Sequence, residues 1–148
     1  MSTDRQQAEG EPPNFGILLR RPFQAIVQAV DTHLAAAGYE AIRPAHGVVF
    51  QFIDAKGTRI SVLAERAQVT KQSMAELVTH LEAHGYVERA PDPTDRRAKL
   101  VRLTERGWAA VPVALAAIAD LTAQWRAQLG TAKFNSLLAA LEDLNELL

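Results

Sequence analysis

The stretch from Ser61 to Arg102 constrains the fold most, because four structural patterns follow one another in it without a gap. A short helical pattern ends at a turn, Gln68-Val69, and a longer helical pattern ends at Gly85. Alternating strand patterns then stand on either side of a polar turn, which predicts a β-hairpin. This order is the layout of a winged helix-turn-helix, and it indicates duplex DNA as a partner.

The longer helical pattern has one apolar and one polar side. Its apolar residues recur at the i, i+3, i+4 and i+7 spacing of a helix that faces a core, and they are Met74, Leu77, Val78 and Leu81. Thr70 is a suitable N-cap, as Ser61 is for the shorter pattern. Thr70 and Lys71 would lie at the positive end of the helix dipole, which suits a phosphate.

The polar side of this helix carries residues that can contact bases. Gln72 can bond adenine through two atoms, and Ser73 and Thr79 can donate or accept a hydrogen bond. Glu76 could accept from cytosine N4 or pair with a nearby basic residue. An amphipathic helix with a solvated polar face, and no ligand, explains the same pattern.

The predicted hairpin has a charged tip. Asp92 to Arg97 is unsuited to a buried strand, and a turn is expected from Pro91 to Arg97. Four cations cluster on the hairpin, namely Arg96, Arg97, Lys99 and Arg102. An Arg at such a tip can enter a narrow minor groove, where the potential is most negative. Phosphate would repel Asp95, so its predicted role is to orient Arg97 through a bidentate pair. A solvated charged turn is the alternative.

The net charge of −1 hides an uneven distribution. Residues 56–106 contain ten Lys/Arg against seven Asp/Glu, whereas the rest of the chain contains six against ten. The basic excess therefore coincides with the predicted DNA-binding stretch.

Helical patterns flank this stretch on its N-terminal side. The apolar residues after Asn14 recur in steps of three and four, which predicts a helix as far as Gly38. Pro22 interrupts the pattern, so the helix is either kinked there or begins there, and the continuous pattern favours the kink. A second, short helix is expected from Pro44 to Ile53.

Two more helices are expected after the hairpin. The first is capped by Thr104 and runs to about Leu129, although Gly107 and Pro112 are unfavourable inside it. The second is capped by Thr131, and it contains more leucine than one buried face of a single chain requires. The long apolar patterns at both ends of the chain predict contact between two copies across a two-fold axis. Coverage of a single chain's own core is the alternative.

Four runs of residues match one known pattern. They are Leu63-Ala64 through Val69-Thr70, Leu81-Glu82-Ala83-His84-Gly85-Tyr86-Val87, Asp92-Pro93-Thr94-Asp95-Arg96-Arg97-Ala98-Lys99, and Leu103-Thr104-Glu105-Arg106-Gly107. With them, the chain from Ser61 to Gly107 resembles the winged helix of the MarR (multiple antibiotic resistance regulator) family of bacterial transcription factors. The resemblance implies a homodimer that binds a pseudo-palindromic operator, usually as a repressor relieved by a small phenolic or other lipophilic ligand. It also implies that Arg97 reads the minor groove and that Asp95 braces it.

The expected fold is therefore mainly α with a small β-hairpin wing. It comprises a disordered N-terminal arm (residues 1–13), helical dimerisation segments (14–38 and 108–148) and a winged helix-turn-helix DNA-binding domain (39–107). The resemblance implies a ligand site between the dimerisation helices and the winged helix. Its candidate residues are Arg20, Phe23, His46, Phe50 and Trp108. The alternatives are that His46 is a structural histidine and Trp108 a core residue, both of which are the commoner roles, and that Arg20 is solvated or binds a phosphate.

Other function classes have less support. No catalytic constellation, phosphate-binding glycine loop or nucleophile elbow is present, so an enzyme and a cofactor are not expected. The His80/His84 spacing can bind metal on a helix, and Glu76 lies one turn before His80, but no carboxylate-rich set or cysteine supports a metal site. The chain has no cysteine, which excludes thiol-based sensing. Two alternatives remain open: an architectural DNA-binding protein without ligand response, and a winged-helix protein-interaction module.

The chain has no run of about 18 apolar residues. The polar N-terminal residues also lack a secretory apolar segment. We therefore expect a soluble, cytoplasmic protein with no membrane partner.

Overall fold

The structure, a computed structural model, describes residues 13–148. The expected disordered arm (1–13) thus falls almost entirely outside the described residues. Helices α1 to α4 are followed by a two-stranded antiparallel sheet and then by α5 and α6. Their bounds are α1 Phe15–Ala36, α2 Gly47–Phe52, α3 Ile60–Ala67, α4 Lys71–Ala83, β1 Val87–Asp92, β2 Asp95–Leu103, α5 Glu105–Leu129 and α6 Thr131–Glu146, with a 3-10 turn over Pro44–His46 before α2. The mainly helical fold with a small hairpin wing is confirmed.

The core of the winged helix forms as the apolar pattern predicts. Met74, Val78 and Leu81 of α4 are fully buried, and Leu77 is partly buried. They pack with Leu63 of α3 and with side chains of the hairpin. Burying each such side chain contributes about 1.5–3 kcal/mol, so the core fixes the orientation of α4 and leaves its polar side in solvent.

Several helix boundaries follow local capping chemistry, and two differ from prediction. Thr70 and Thr104 are N-caps, since their hydroxyls accept the amides three residues later at 3.0 and 3.1 Å. Ser61 is not a cap, because α3 already begins at Ile60. The segment before it is held extended by Thr58, which exchanges two backbone hydrogen bonds with β2. Thr131 is the first residue of α6, not its cap.

Two prolines lie inside helices. Pro22 is within α1 and Pro112 within α5. The helix across Pro22 begins where the pattern predicts, since the Asn14 side chain accepts the Ile17 amide at 3.2 Å. Both helices are therefore continuous, and α1 packs along α5 while α6 packs on α5.

The hairpin is longer than predicted and its turn is shorter. Strand β1 continues to Asp92 and β2 begins at Asp95, with a register irregularity between Pro91 and Asp92. The expectation that Asp92 cannot be a buried strand residue is wrong, because only 6% of it is exposed. Hydrogen bonds from Thr94 and an ion pair with an arginine outside the hairpin offset the penalty for burying the charge.

Gly107 allows α5 to approach the hairpin closely. It is buried, and a Cβ atom there would overlap the carbonyl oxygen of Tyr86. The Thr104 amide donates to the same oxygen at 3.1 Å. The glycine that looked unfavourable inside a helix is thus required by a backbone contact.

By length and composition alone, α5 is apolar enough to cross a membrane. Core helices of soluble proteins reach the same length and hydropathy. The helix contacts α1 and α6, and 17% of its apolar window is buried within the chain.

Candidate nucleic-acid interface

The exposed side of α4 carries the predicted base-reading residues. All of the following are exposed: Thr70, Lys71, Gln72, Ser73, Glu76 and Thr79. The Thr70 hydroxyl donates to Ser73 Oγ at 2.9 Å and also accepts the Ser73 amide. The first turn of α4 is therefore ordered, and it presents Lys71, Gln72 and Ser73 to solvent at the positive end of the helix.

Arg89 of β1 joins the hairpin to α4, and it was missed in the sequence. Its guanidinium donates to Thr79 Oγ1 and to Glu82 Oε1, each at 3.3 Å. Thr79 is thus partly engaged by the protein itself. The sequence pattern indicated only that Arg89 belongs to a strand. Its partners lie seven and ten residues earlier, in another element, so no local pattern reveals them.

A basic cleft separates α4 from the hairpin. It has a volume of about 360 Å³. Five cations line it: Arg59 before α3, Lys71 at the start of α4, and Arg89, Arg97 and Lys99 on the hairpin. Lys71 of α4 and Arg97 and Lys99 of the hairpin bring positive charge from two parts of the fold to one concavity, so the cleft suits a polyanion such as a phosphate backbone.

The wing cations are exposed, but Asp95 acts differently from prediction. Arg96, Arg97 and Lys99 are exposed at and beside the turn. Asp95 Oδ1 accepts the backbone amide of Arg97 at 2.9 Å. The prediction of a bidentate pair between the Asp95 carboxylate and the Arg97 guanidinium is therefore wrong. Within residues 13–148 no ion pair holds that guanidinium, so it extends into solvent from a fixed backbone.

Asp92 and Arg59 form a strong contact beneath the wing turn. Asp92 Oδ2 accepts from Arg59 Nε at 2.7 Å and lies 2.6 Å from Nη2. Asp92 Oδ1 accepts the Thr94 amide at 2.9 Å and the Thr94 hydroxyl at 2.7 Å. These bonds from Thr94, followed by the one from Arg59, lower the pKa of Asp92 to about 2. The carboxylate is therefore charged at neutral pH and fully hydrogen-bonded.

An apolar cleft lies away from the basic one, between α1, α2 and α5. It has a volume of about 480 Å³, and its lining is mostly aliphatic and aromatic. Phe23 and Phe50, two of the candidate ligand residues, line it. Arg20, His46 and Trp108 are not among its lining residues, and Trp108 is 45% exposed. Only part of the predicted set of ligand residues therefore faces the cleft. The direction of a side chain on its helix, and not its position along the chain, decides which residues do so.

His46 is a structural histidine. It is buried, its Nδ1 accepts the Arg43 amide at 2.9 Å, and its ring stacks on His80 of α4 with 4.3 Å between centroids. Burial, followed by the neighbouring His80, lowers the pKa of His46. His80 Nε2 contacts the Ala41 carbonyl oxygen at 2.7 Å. No group of three metal ligands occurs among the described residues, and the histidines instead connect the 3-10 turn to α4.

The chain is similar to known transcriptional regulators in sequence and in fold. Residues 42–98 match the model of the MarR family. The chain is 31% identical over 103 residues to the transcriptional regulator HosA of Escherichia coli O111:H-, a match that covers 65% of this chain and 76% of that protein. Similar solved structures include the transcriptional regulator Tm0710 from Thermotoga maritima, with a TM-score of 0.64 and 28% identity, covering 90% of this chain and 92% of that one.

A second solved structure is CouR from Rhodococcus jostii RHA1 bound to p-coumaroyl-CoA. It has a TM-score of 0.68 and 25% identity, and the match covers 89% of this chain and 92% of that one. MarR from E. coli has a TM-score of 0.73 over 90% of this chain and 98% of that one, and its 22% identity supports a shared fold.

Proposed function

The chain belongs to the MarR family of DNA-binding transcriptional regulators, and from this premise we propose that it binds a pseudo-palindromic operator as a homodimer and represses transcription. As a regulator it is not an enzyme. We place it in the cytoplasm. The observation that carries the proposal is the basic cleft, which brings Lys71 at the start of α4 together with cations of the hairpin.

The arrangement supports two simultaneous contacts with a duplex. Helix α4 enters the major groove with Gln72 and Ser73 toward base edges and Lys71 toward a phosphate. The wing reaches the adjacent minor groove with Arg97, while Lys99 and Arg96 neutralise the backbone. Glu76 and Thr79 lie further along α4, where they contact the edge of the site. Residues 39–107 are thus the DNA-binding domain in this proposal.

Exposed apolar side chains on the terminal helices support a homodimer. The exposed apolar side chains of α1 are 40–65% exposed. They are Phe15, Ile17, Leu18, Leu19 and Phe23. In α5 and α6, Leu115, Leu129, Leu137 and Leu138 are also exposed. A surface with this much apolar area marks an interaction site, and the two-fold axis of a dimer matches an operator with two half-sites. Segments 14–38 and 108–148 are the proposed dimerisation region.

The apolar cleft supports a small aromatic or lipophilic effector. A similar structure, CouR, is bound to p-coumaroyl-CoA. Arg43 and Pro44 of the 3-10 turn region line the cleft, whereas His46 of the same turn packs on His80 of α4. An occupant that displaces the turn would therefore shift α4 through the stacked histidines, which couples the cleft to operator binding.

Effector release is testable without knowing the natural compound. A panel of small aromatic acids is titrated into a complex with labelled DNA, and release is followed by fluorescence polarisation. Ala114→Leu, which adds bulk at a residue that lines the cleft, should abolish release and leave DNA affinity unchanged. Release that is equally efficient in this variant would locate the effector elsewhere.

Operator binding is tested by selecting bound duplexes from a randomised library. We expect a symmetric consensus whose half-site centres are roughly 10 base pairs apart, and a complex mass that corresponds to two protomers. A reporter promoter that carries the consensus should lose expression when the protein is present. An asymmetric consensus with one protomer would contradict the dimer, and increased expression would make the protein an activator.

A further inference from the structure

Arg59 lies outside both α4 and the wing, yet it contacts both sides of the wing turn. Nε and Nη2 of Arg59 contact Asp92 Oδ2 at 2.7 and 2.6 Å. Nη2 also lies 3.8 Å from Asp95 Oδ2. Asp92 ends β1 and Asp95 begins β2, so one guanidinium from the body of the domain spans the turn.

The carboxylate of Asp92 connects this guanidinium to the turn itself. Its second oxygen accepts both the amide and the hydroxyl of Thr94. Asp92 is 6% exposed, whereas the Arg59 side chain is 40% exposed. A buried, charged acceptor whose two oxygens are both hydrogen-bonded gives a geometrically specific contact, because each bond restricts its orientation.

Arg59 and its neighbour hold the hairpin at two levels. Thr58 exchanges two backbone bonds with Val101, at 2.8 and 2.9 Å, near the base of the hairpin. Arg59 then holds the far end, at the turn. A two-stranded hairpin is only marginally stable alone, so the direction of its tip depends on such contacts with the body of the domain.

We propose that Arg59, acting through Asp92, is a positioning residue that sets the direction of the wing and thereby aims Arg97 into the minor groove. The inference rests on the proposed DNA-binding function. Its own charge is largely compensated by two carboxylates, so the contribution of Arg59 comes from geometry and not from a phosphate contact. The adjacent start of α3, at Ile60, fixes Arg59 in turn.

The test uses a substitution for which geometry and charge predict opposite results. Asp92→Asn removes a negative charge near DNA, so electrostatics alone predicts tighter binding. Positioning predicts that affinity for the selected duplex falls roughly tenfold, the scale of one lost base contact, and that minor-groove protection by the wing is lost in hydroxyl-radical footprinting. Unchanged or tighter binding would overturn the inference.

Glu88→Gln is the matched control. Glu88 lies on the same hairpin, where its carboxylate pairs with Arg102 at 2.7 Å, and both side chains are 49% exposed. This variant loses the same charge without touching the turn, so affinity should stay equal or rise. A loss equal to that of Asp92→Asn would indicate a general charge effect and contradict a role for the Arg59 contact.

A double-mutant cycle separates an effect of Arg59 on the position of Arg97 from an independent effect on binding. It remains informative even if the Asp92→Asn variant does not fold. Arg59→Gln should weaken binding roughly tenfold in the wild-type background, but have little further effect in an Arg97→Ala background, because the misdirected group is already absent. Additive losses would show an independent phosphate contact and overturn the inference. If Arg97→Ala alone leaves affinity unchanged, the proposed minor-groove function fails instead.

Discussion

Replacing Arg97 by alanine is expected to weaken binding to the selected duplex by about ten- to hundredfold, which corresponds to about 1–3 kcal/mol. The guanidinium is exposed at the wing tip, and its backbone is fixed by Asp95 at 2.9 Å. A narrow minor groove concentrates negative potential, so removing a cation that lies in it costs more binding affinity than removing a cation on the protein surface. Affinity is measured by polarisation at fixed salt.

Arg102→Ala is the control for charge alone. Arg102 lies on the same strand, is exposed, and pairs with Glu88 at 2.7 Å. Arg102→Ala should reduce affinity less than Arg97→Ala does. Both variants should keep the oligomeric state and the melting temperature of the wild-type protein. If the two losses are equal, or if Arg97→Ala binds as the wild type does, the minor-groove role assigned to Arg97 is wrong.

Gly107→Ala is expected to destabilise the protein in spite of the better helix propensity of alanine. The new Cβ atom would overlap the Tyr86 carbonyl oxygen, and backbone there cannot move without separating α5 from the hairpin. Overpacking of this kind costs about 1–3 kcal/mol or more, against a propensity gain of about 1 kcal/mol. The net loss should lower the melting temperature by several degrees, measured by circular dichroism.

Gly47→Ala provides the matched control. Gly47 is also helical, but a Cβ atom there has nothing within 4 Å. The same propensity gain should therefore appear undiminished, with an equal or higher melting temperature. If both variants melt alike, the close contact between Gly107 and Tyr86 does not determine how α5 packs.

Much of the winged helix could be predicted because its signals are local. The spacing of Met74, Val78 and Leu81 reports which side of α4 is buried, and Thr70 is recognisable as a cap. Both depend only on residues within one helix. Proline and clustered charge likewise predicted the wing. Its turn is shorter than predicted, because the Asp92 carboxylate is paired and Asp92 can therefore be a buried strand residue.

Two of the contacts that adjust the site could not be predicted, because they join residues far apart in the chain. Arg59 and Asp92 are 33 residues apart. Asp95 was expected to hold the Arg97 guanidinium, but a carboxylate two residues before an amide closes a tighter local ring with the backbone. Gly107 stood out in the sequence for its poor helix propensity and for ending a run that matches the family, and neither feature reveals that it lies against the carbonyl oxygen of Tyr86.

The lining of the apolar cleft could likewise be predicted only in part. Phe23 and Phe50 were expected there and line it, whereas Arg20, His46 and Trp108 do not. Which residues face a cleft depends on the rotation of each helix about its axis, and a periodic pattern defines that rotation only relative to the core. The stack of His46 on His80 likewise joins two elements that no sequence pattern connects.

The most direct test of the account is the ratio of affinities for the selected duplex and for a scrambled duplex of the same composition, measured by competition at one salt concentration. A sequence-specific regulator should prefer the selected duplex by at least about a thousandfold, and added salt should weaken binding to both duplexes. Equal affinity for the two duplexes would mean that the basic cleft binds phosphate without reading bases, and it would contradict the proposed operator recognition.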